Sequence, residues 1–167
     1  TVLTEDSTKG SGFLADVCEA WEAEAQPAAD AGIRVVHPRV GIVLSDQGGM
    51  LAKMVPPFKL GLGGPVGSGD QFMSWIRLED LVHSIRFGVA NEDIGGAYNA
   101  TAPEPVTNET FTEALGEALH RPTVMRLPGF AAKIALGAQM TDELLLTSQR
   151  AVPNALEAAG FHFDYPQ

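Results

Sequence analysis

From Phe13 onward the apolar positions Phe13, Leu14, Val17, Cys18, Trp21, Ala25 and Ala28 recur at helical spacing, with Asp16, Glu19 and Glu22 between them. The spacing predicts one amphipathic helix of about four turns, closed by Gly32. Residues 33–36 and 40–44 are β-branched runs with almost no alternation, separated by His37-Pro38-Arg39. Such runs suit strands covered on both faces, as in a parallel sheet flanked by helices. Residues 50–58 predict a short helix that Pro56-Pro57 ends or bends. After the run 72–76, Leu81, Val82, Ile85 and Val89 form a second helical stripe behind an acidic first turn, Glu79-Asp80. Gly95-Gly96 turns the chain into a strand over 97–100, and Thr107 or Asn108 caps a third helix with Phe111, Leu115 and Leu119 on its inner face. Residues 130–146 read as one or two apolar helices, followed by a short segment over 152–159 and the aromatic tail Phe161-His162-Phe163-Asp164-Tyr165. Trp21, Trp75 and the tail aromatics are expected as core anchors.

Strand and helix alternate, which argues for an α/β fold. Yet only about three or four sheet strands can be counted and the chain opens on a helix, so a parallel sheet built from it alone has unpaired edges and too few crossovers. The pattern therefore predicts further strands upstream. The length, 167 residues, fits one domain or one half of something larger.

Charge sharpens this picture. The chain carries a formal charge of −10, which argues against non-specific binding to nucleic acid or an anionic membrane. Residues 1–33 sum to −6 and residues 79–167 to −7, whereas residues 34–78 hold Arg34, Arg39, Lys53, Lys59 and Arg77 against Asp46 and Asp70, a balance of +3. Seven glycines fall between Gly48 and Gly69 in that same stretch. A glycine-rich, locally basic segment in an acidic chain is the expected place for a small anionic ligand, although solvated charges on a mobile loop would give the same pattern. The single Cys18 allows no internal disulfide and no thiolate cluster, which favours a reducing cytoplasm. No apolar run is long enough to span a bilayer.

Several motifs fail their tests. Gly61–Gly69 lacks a dinucleotide fingerprint, because Val66 holds the sixth position and Pro65 stands where a helix should begin. It is expected as a flexible flap. His37, His83, His120 and His162 have no metal-ligand spacing, so no metal site is expected. There is no Gly-x-Ser-x-Gly elbow.

Ala20-Trp21-Glu22-Ala23-Glu24-Ala25, Pro38 to Ser45, Gly48-Gly49-Met50-Leu51, Pro57 to Gly69, Ser74-Trp75-Ile76, Asn99 to Pro103 and Gly160-Phe161 occur in this order. This series resembles the C-terminal half of a subfamily of extended short-chain dehydrogenases/reductases, the NAD(P)-dependent nucleoside-diphosphate-sugar epimerases that end in a small domain of unassigned function. The resemblance implies the C-terminal part of a Rossmann-type doubly wound parallel sheet over residues 1–120 and a small, mostly helical domain over 121–167. It also implies that the pyrophosphate fingerprint and the catalytic residues lie upstream of Thr1. No Tyr-x-x-x-Lys occurs here, and the first helix offers Val17, Cys18, Glu19 and Ala20 where the wider superfamily carries its catalytic Lys.

Carried over residue by residue, the resemblance makes Pro38, Arg39 and Val40 NAD(P) contacts at the nicotinamide end. It sets Lys53, Phe58, Gly63, Gln71, Trp75 and Arg77 in the segments that line a nucleotide-sugar pocket; the cations suit a diphosphate and the aromatics a base or sugar face. Packing for Phe58 and Trp75, and solvation for Lys53 and Arg77, are the plain alternatives. Two functions follow: an oxidoreductase or epimerase acting on a nucleotide sugar or similar polar metabolite, or a catalytically degenerate dinucleotide sensor or scaffold. Either needs the upstream half as its partner, and either accommodates a homodimer.

Overall fold

The computed structural model describes residues 1–130 and 146–167; most of the apolar helical stretch expected over 130–146 lies outside the described residues. Helix α1 spans Phe13–Glu24 and α2 Gln26–Asp30, with Ala25 between them. The predicted single helix is thus divided, since Pro27 has no N–H to continue the ladder and its ring crowds the carbonyl four residues back. Gly32 closes the pair at φ 80°, a conformation only glycine adopts freely.

Strand β1 is Val36–Val40 and β2 is Ile42–Ser45. The expected break at His37-Pro38-Arg39 falls instead at Gly41. Pro38 is tolerated inside β1 for a visible reason: Gly96 donates to Val35 and Gly41 donates to Ala100. The odd-numbered residues therefore turn their backbone groups to the neighbouring strand, and Pro38 turns its missing donor away from it. Helix α3, Gly49–Lys59, runs through Pro56 and Pro57 and stops within a turn beyond them. β3 (Phe72–Met73) and β4 (Trp75–Arg77) lead directly into α4 (Leu78–Ala90). β5 (Gly96–Ala100), β6 (Val106–Thr107), α5 (Asn108–Leu119) and α6 (Asn154–Ala158) complete the order. The Thr107 hydroxyl caps α5 by accepting the Thr110 N–H at 3.1 Å.

β1 pairs in parallel with β5, β2 in parallel with β4, and β3 antiparallel with β6. Gly41 is the point where the chain changes partner, its own N–H going to Ala100 and that of Ile42 to Ser74. A Cβ there would lie 2.7 Å from the Ser74 carbonyl oxygen and 2.9 Å from a Thr101 methyl, so the crossing requires glycine.

Ile76, Ile94, Tyr98, Ala100, Leu156 and Phe163 form the core, with Phe87 and Phe161 packed against it. It thus draws on residues from both sides of position 120. The buried face of α4 is Asp80, Ser84 and Gly88; of the predicted stripe Leu81 packs against the core, whereas Val82, Ile85 and Val89 are exposed. Small residues let the Tyr98 ring lie against Gly88 and donate to the Ser84 carbonyl at 3.3 Å. Arg34 closes the far end of α4 by donating to the Gly88, Val89 and Ile94 carbonyls. Trp75 and Phe163 are core residues as expected, but Trp21 is 74% exposed. Its helix packs chiefly on α2, which leaves most of its apolar stripe uncovered.

Candidate functional site

The carboxyl ends of parallel strands are where α/β sheets bind ligands, and here they bring together segments far apart in sequence. Three buried polar side chains, Asn99 and Thr101 at the carboxyl end of β5 and Ser74 in the link between β3 and β4, hold residues 149–152 there. The Ser74 hydroxyl donates to the Gln149 carbonyl at 2.8 Å and accepts the Ala151 N–H at 2.8 Å. The Asn99 side-chain amide donates to the Val152 carbonyl at 2.9 Å. On its other side this segment pairs with the N-terminus: Leu3 donates to Arg150, and Val152 donates to Leu3. One Glu5 carboxylate oxygen then accepts the N–H groups of Asn99 and Ala155. Polar groups are buried at a cost unless they find partners, and these partners all belong to one clamp.

The predicted cofactor contacts Pro38, Arg39 and Val40 are exposed at the end of β1. Arg39 donates to both Glu22 carboxylate oxygens, at 2.7 and 2.9 Å, and to the Glu5 carbonyl at 3.1 Å. This pairing holds the Glu22 carboxyl below its usual range and raises the Arg39 guanidinium further.

Most of the predicted substrate residues are engaged by other groups of the chain. Phe58 is buried against Gly63, where a Cβ would sit 2.5 Å from the ring. Gln71 is buried and donates to the Val66 carbonyl at 3.0 Å, while the Trp75 indole N–H donates to the Glu104 carbonyl at 3.0 Å. The Arg77 guanidinium pairs with Glu79 and stacks 4.0 Å from the Tyr165 ring centroid. Lys53 stands exposed on α3, with no ion pair among the described residues.

The Gly61–Gly69 segment is not the free flap expected from its glycines. Val66 donates to the Asn108 side chain, Gly67 to Leu127, and Leu127 to Pro65. Arg126 fastens Ser68 and Glu109, and a Cβ on Gly64 would collide with the Met125 carbonyl oxygen. Gly63 and Gly64 thus serve close packing.

Asp80, His83 and Asp164 offer ligand atoms within 4.8 Å of one another. The Asp80 oxygens already accept the Asp164 and Tyr165 N–H groups, so the cluster acts as a latch for the tail. An open hollow of 670 Å³ lined by Glu113, Glu117, His120 and Arg121, among others, contains none of the predicted residues. Sequence reasoning passed over Ser74, Asn99, Thr101 and Arg150. The signal for the first three was a polar residue within or beside a short apolar strand.

Residues 127–167 match a family described as a domain of unknown function, DUF1731. Over 164 residues, 98% of this chain and 54% of the relative, the chain is 49% identical to epimerase family protein Mb2239 of Mycobacterium bovis. It superposes on the crystal structure of human epimerase family protein SDR39U1 with NADPH at TM-score 0.94 and 34% identity, covering all of this chain and 56% of that one. The chain belongs to this epimerase family. A nucleoside-diphosphate sugar epimerase structure from Corynebacterium glutamicum matches at TM-score 0.81 and 36% identity, over all of this chain and 31% of that one. This epimerase-family chain therefore has the α/β, Rossmann-type fold that its parallel pairs indicate, and it spans about half the length of the curated relatives it matches. Among its described residues no helix is long and apolar enough to cross a membrane.

Proposed function

We propose that this chain is the substrate-binding half of an NAD(P)-dependent oxidoreductase or epimerase acting on a nucleotide sugar or similar polar metabolite in a reducing cytoplasm, completed by a cofactor-binding half of the same protein. The observation that carries the reading is the unfinished edge of the sheet. Among the described residues β1 pairs with β5 alone, and α1, whose apolar stripe is largely bare, is tied to the end of β1 by the Arg39–Glu22 pair, in a chain spanning about half its relatives' length. Further strands of the same sheet would cover both.

The end of β1 suits one part of a dinucleotide. Pro38 and Val40 offer exposed, uncharged surface, and Arg39 is neutralised by Glu22, a setting that fits a flat ring better than a pyrophosphate. When bound, the dinucleotide supplies hydride transfer; this chain's contribution is to orient that end and exclude water. The human relative's structure with NADPH and the Corynebacterium relative's name support the cofactor and substrate classes.

The experiment is calorimetry of NADPH and a panel of nucleotide sugars on the full-length protein, followed by turnover assays. Binding of both with turnover supports the reading. Dinucleotide binding without any sugar nucleotide or turnover would favour the sensor or scaffold, the alternative suggested by an α1 that carries Val17, Cys18, Glu19 and Ala20 in place of a lysine. Absence of dinucleotide binding would overturn both.

A further inference from the structure

We propose that Arg150, with the Ser148 hydroxyl, is the anion anchor of the substrate site and takes a phosphate group of a diphosphate ligand; this rests on the substrate class proposed above. Arg150 is exposed, and its guanidinium lies 4.8 Å from the centroid of the Phe72 ring. In a chain with 21 acidic residues, it has no carboxylate partner among the described residues. Arg77, the cation singled out by resemblance, is by contrast occupied by Glu79 and Tyr165.

Stacking orients the guanidinium plane while its edge donors stay available, the arrangement in which arginine grips a phosphate with two parallel hydrogen bonds. Ser148 meets the same residue, Phe72: its hydroxyl oxygen accepts the Phe72 N–H at 3.0 Å, which leaves its own proton for a ligand oxygen. The backbone beneath is fixed at both neighbours. Gln149 donates to the Phe72 carbonyl, and Ser74 grips Gln149 and Ala151. Three buried polar side chains thus pre-organise a segment whose outward cation has no carboxylate partner among the described residues, the construction expected of a binding site. The anchor lies within residues 127–167, the segment that matches a domain of unknown function, and gives that segment a role in completing the substrate site from the far end of the chain.

The test is calorimetry on the full-length, NADPH-loaded protein with two probes, UDP and inorganic pyrophosphate. Arg150→Ala is expected to weaken both by about ten- to hundredfold, with NADPH affinity and unfolding midpoint unchanged. Phe72→Leu should cost about two- to fivefold. Arg150→Lys should fall between wild type and Arg150→Ala, because it keeps the charge and loses the planar fork. Pyrophosphate binding that depends on Arg150, without UDP binding, upholds the anchor and overturns the nucleotide reading. Wild type and Arg150→Ala binding pyrophosphate equally, or neither binding it, overturns the anchor. Full affinity in Arg150→Lys overturns the bidentate geometry.

Discussion

The Asp80 carboxylate, with no exposed surface, accepts the backbone N–H of Tyr165 on one oxygen and that of Asp164 on the other, both at 3.0 Å. The tail runs antiparallel to α4: Phe161 lies against Phe87, Asp164 approaches His83 at 3.3 Å, and Tyr165 reaches Arg77. Asp80→Ala leaves two N–H groups without acceptors and is expected to destabilise the full-length protein by about 2–4 kcal/mol. Asp80→Asn, which keeps one acceptor oxygen, should cost less. Urea unfolding measures both; a loss under about 0.5 kcal/mol in Asp80→Ala would mean that the packing of Phe161 and Phe163 holds the tail unaided.

Glu22 and Arg39 make stability depend on pH in the acid range. The hydrogen bonds from Arg39 hold the folded Glu22 carboxyl below its ordinary value of 4.5. The stabilisation is therefore complete above the unfolded value and is lost as pH falls through the folded one. Both side chains are partly exposed, at 42% for Arg39 and 30% for Glu22, so the pair is worth about 0.5–1 kcal/mol. Glu22→Gln should be less stable than wild type by that amount near neutral pH, with the difference closing as the carboxyl protonates. Unfolding midpoints across that range would show it, and parallel curves would exclude the pair as the source.

The pattern of apolar positions conveyed the element types well and their faces poorly. For α4 it marked Leu81, Val82, Ile85 and Val89, of which only Leu81 packs against the core, while Asp80, Ser84 and Gly88 face inward. The partners that make this favourable, Tyr98 and the tail, lie far away in sequence, and a local moment cannot register a carboxylate satisfied by amides 84 and 85 residues on. Pro38 read as a break because sequence does not say which edge of a strand is paired. The glycines of residues 61–69 read as freedom, whereas Gly63 and Gly64 are required by what lies against them. At the site, resemblance pointed to Arg77, while Arg150 sits in a stretch with no motif and stands out only through its stacking on Phe72.

Gly64→Ala tests the close packing of the loop. The new methyl would meet the Met125 backbone, which cannot rotate away; displacing it strains the reciprocal bonds between residues 65–67 and Leu127. A loss of about 1–3 kcal/mol and faster amide exchange at Gly67 and Leu127 are expected. Gly95→Ala, with nothing within 4 Å, should stay within about 0.5 kcal/mol of wild type. Equal behaviour of the two variants would restore the mobile flap.

Ser74→Ala separates the clamp from the anchor it holds. The substitution removes the hydroxyl that serves Gln149 and Ala151 and strands a carbonyl and an N–H in a part-buried setting. About 1–3 kcal/mol of stability should be lost. Because Ser74 itself touches neither Phe72 nor the Arg150 guanidinium in the hydrogen-bond and stacking network, any effect on anion binding must travel through the backbone of residues 149–151. Pyrophosphate affinity in the full-length protein should therefore drop about three- to tenfold, roughly 0.6–1.4 kcal/mol, less than in Arg150→Ala, and the double variant should be no weaker than Arg150→Ala alone. Strict additivity of the two losses would show that Ser74 stabilises the fold without positioning Arg150.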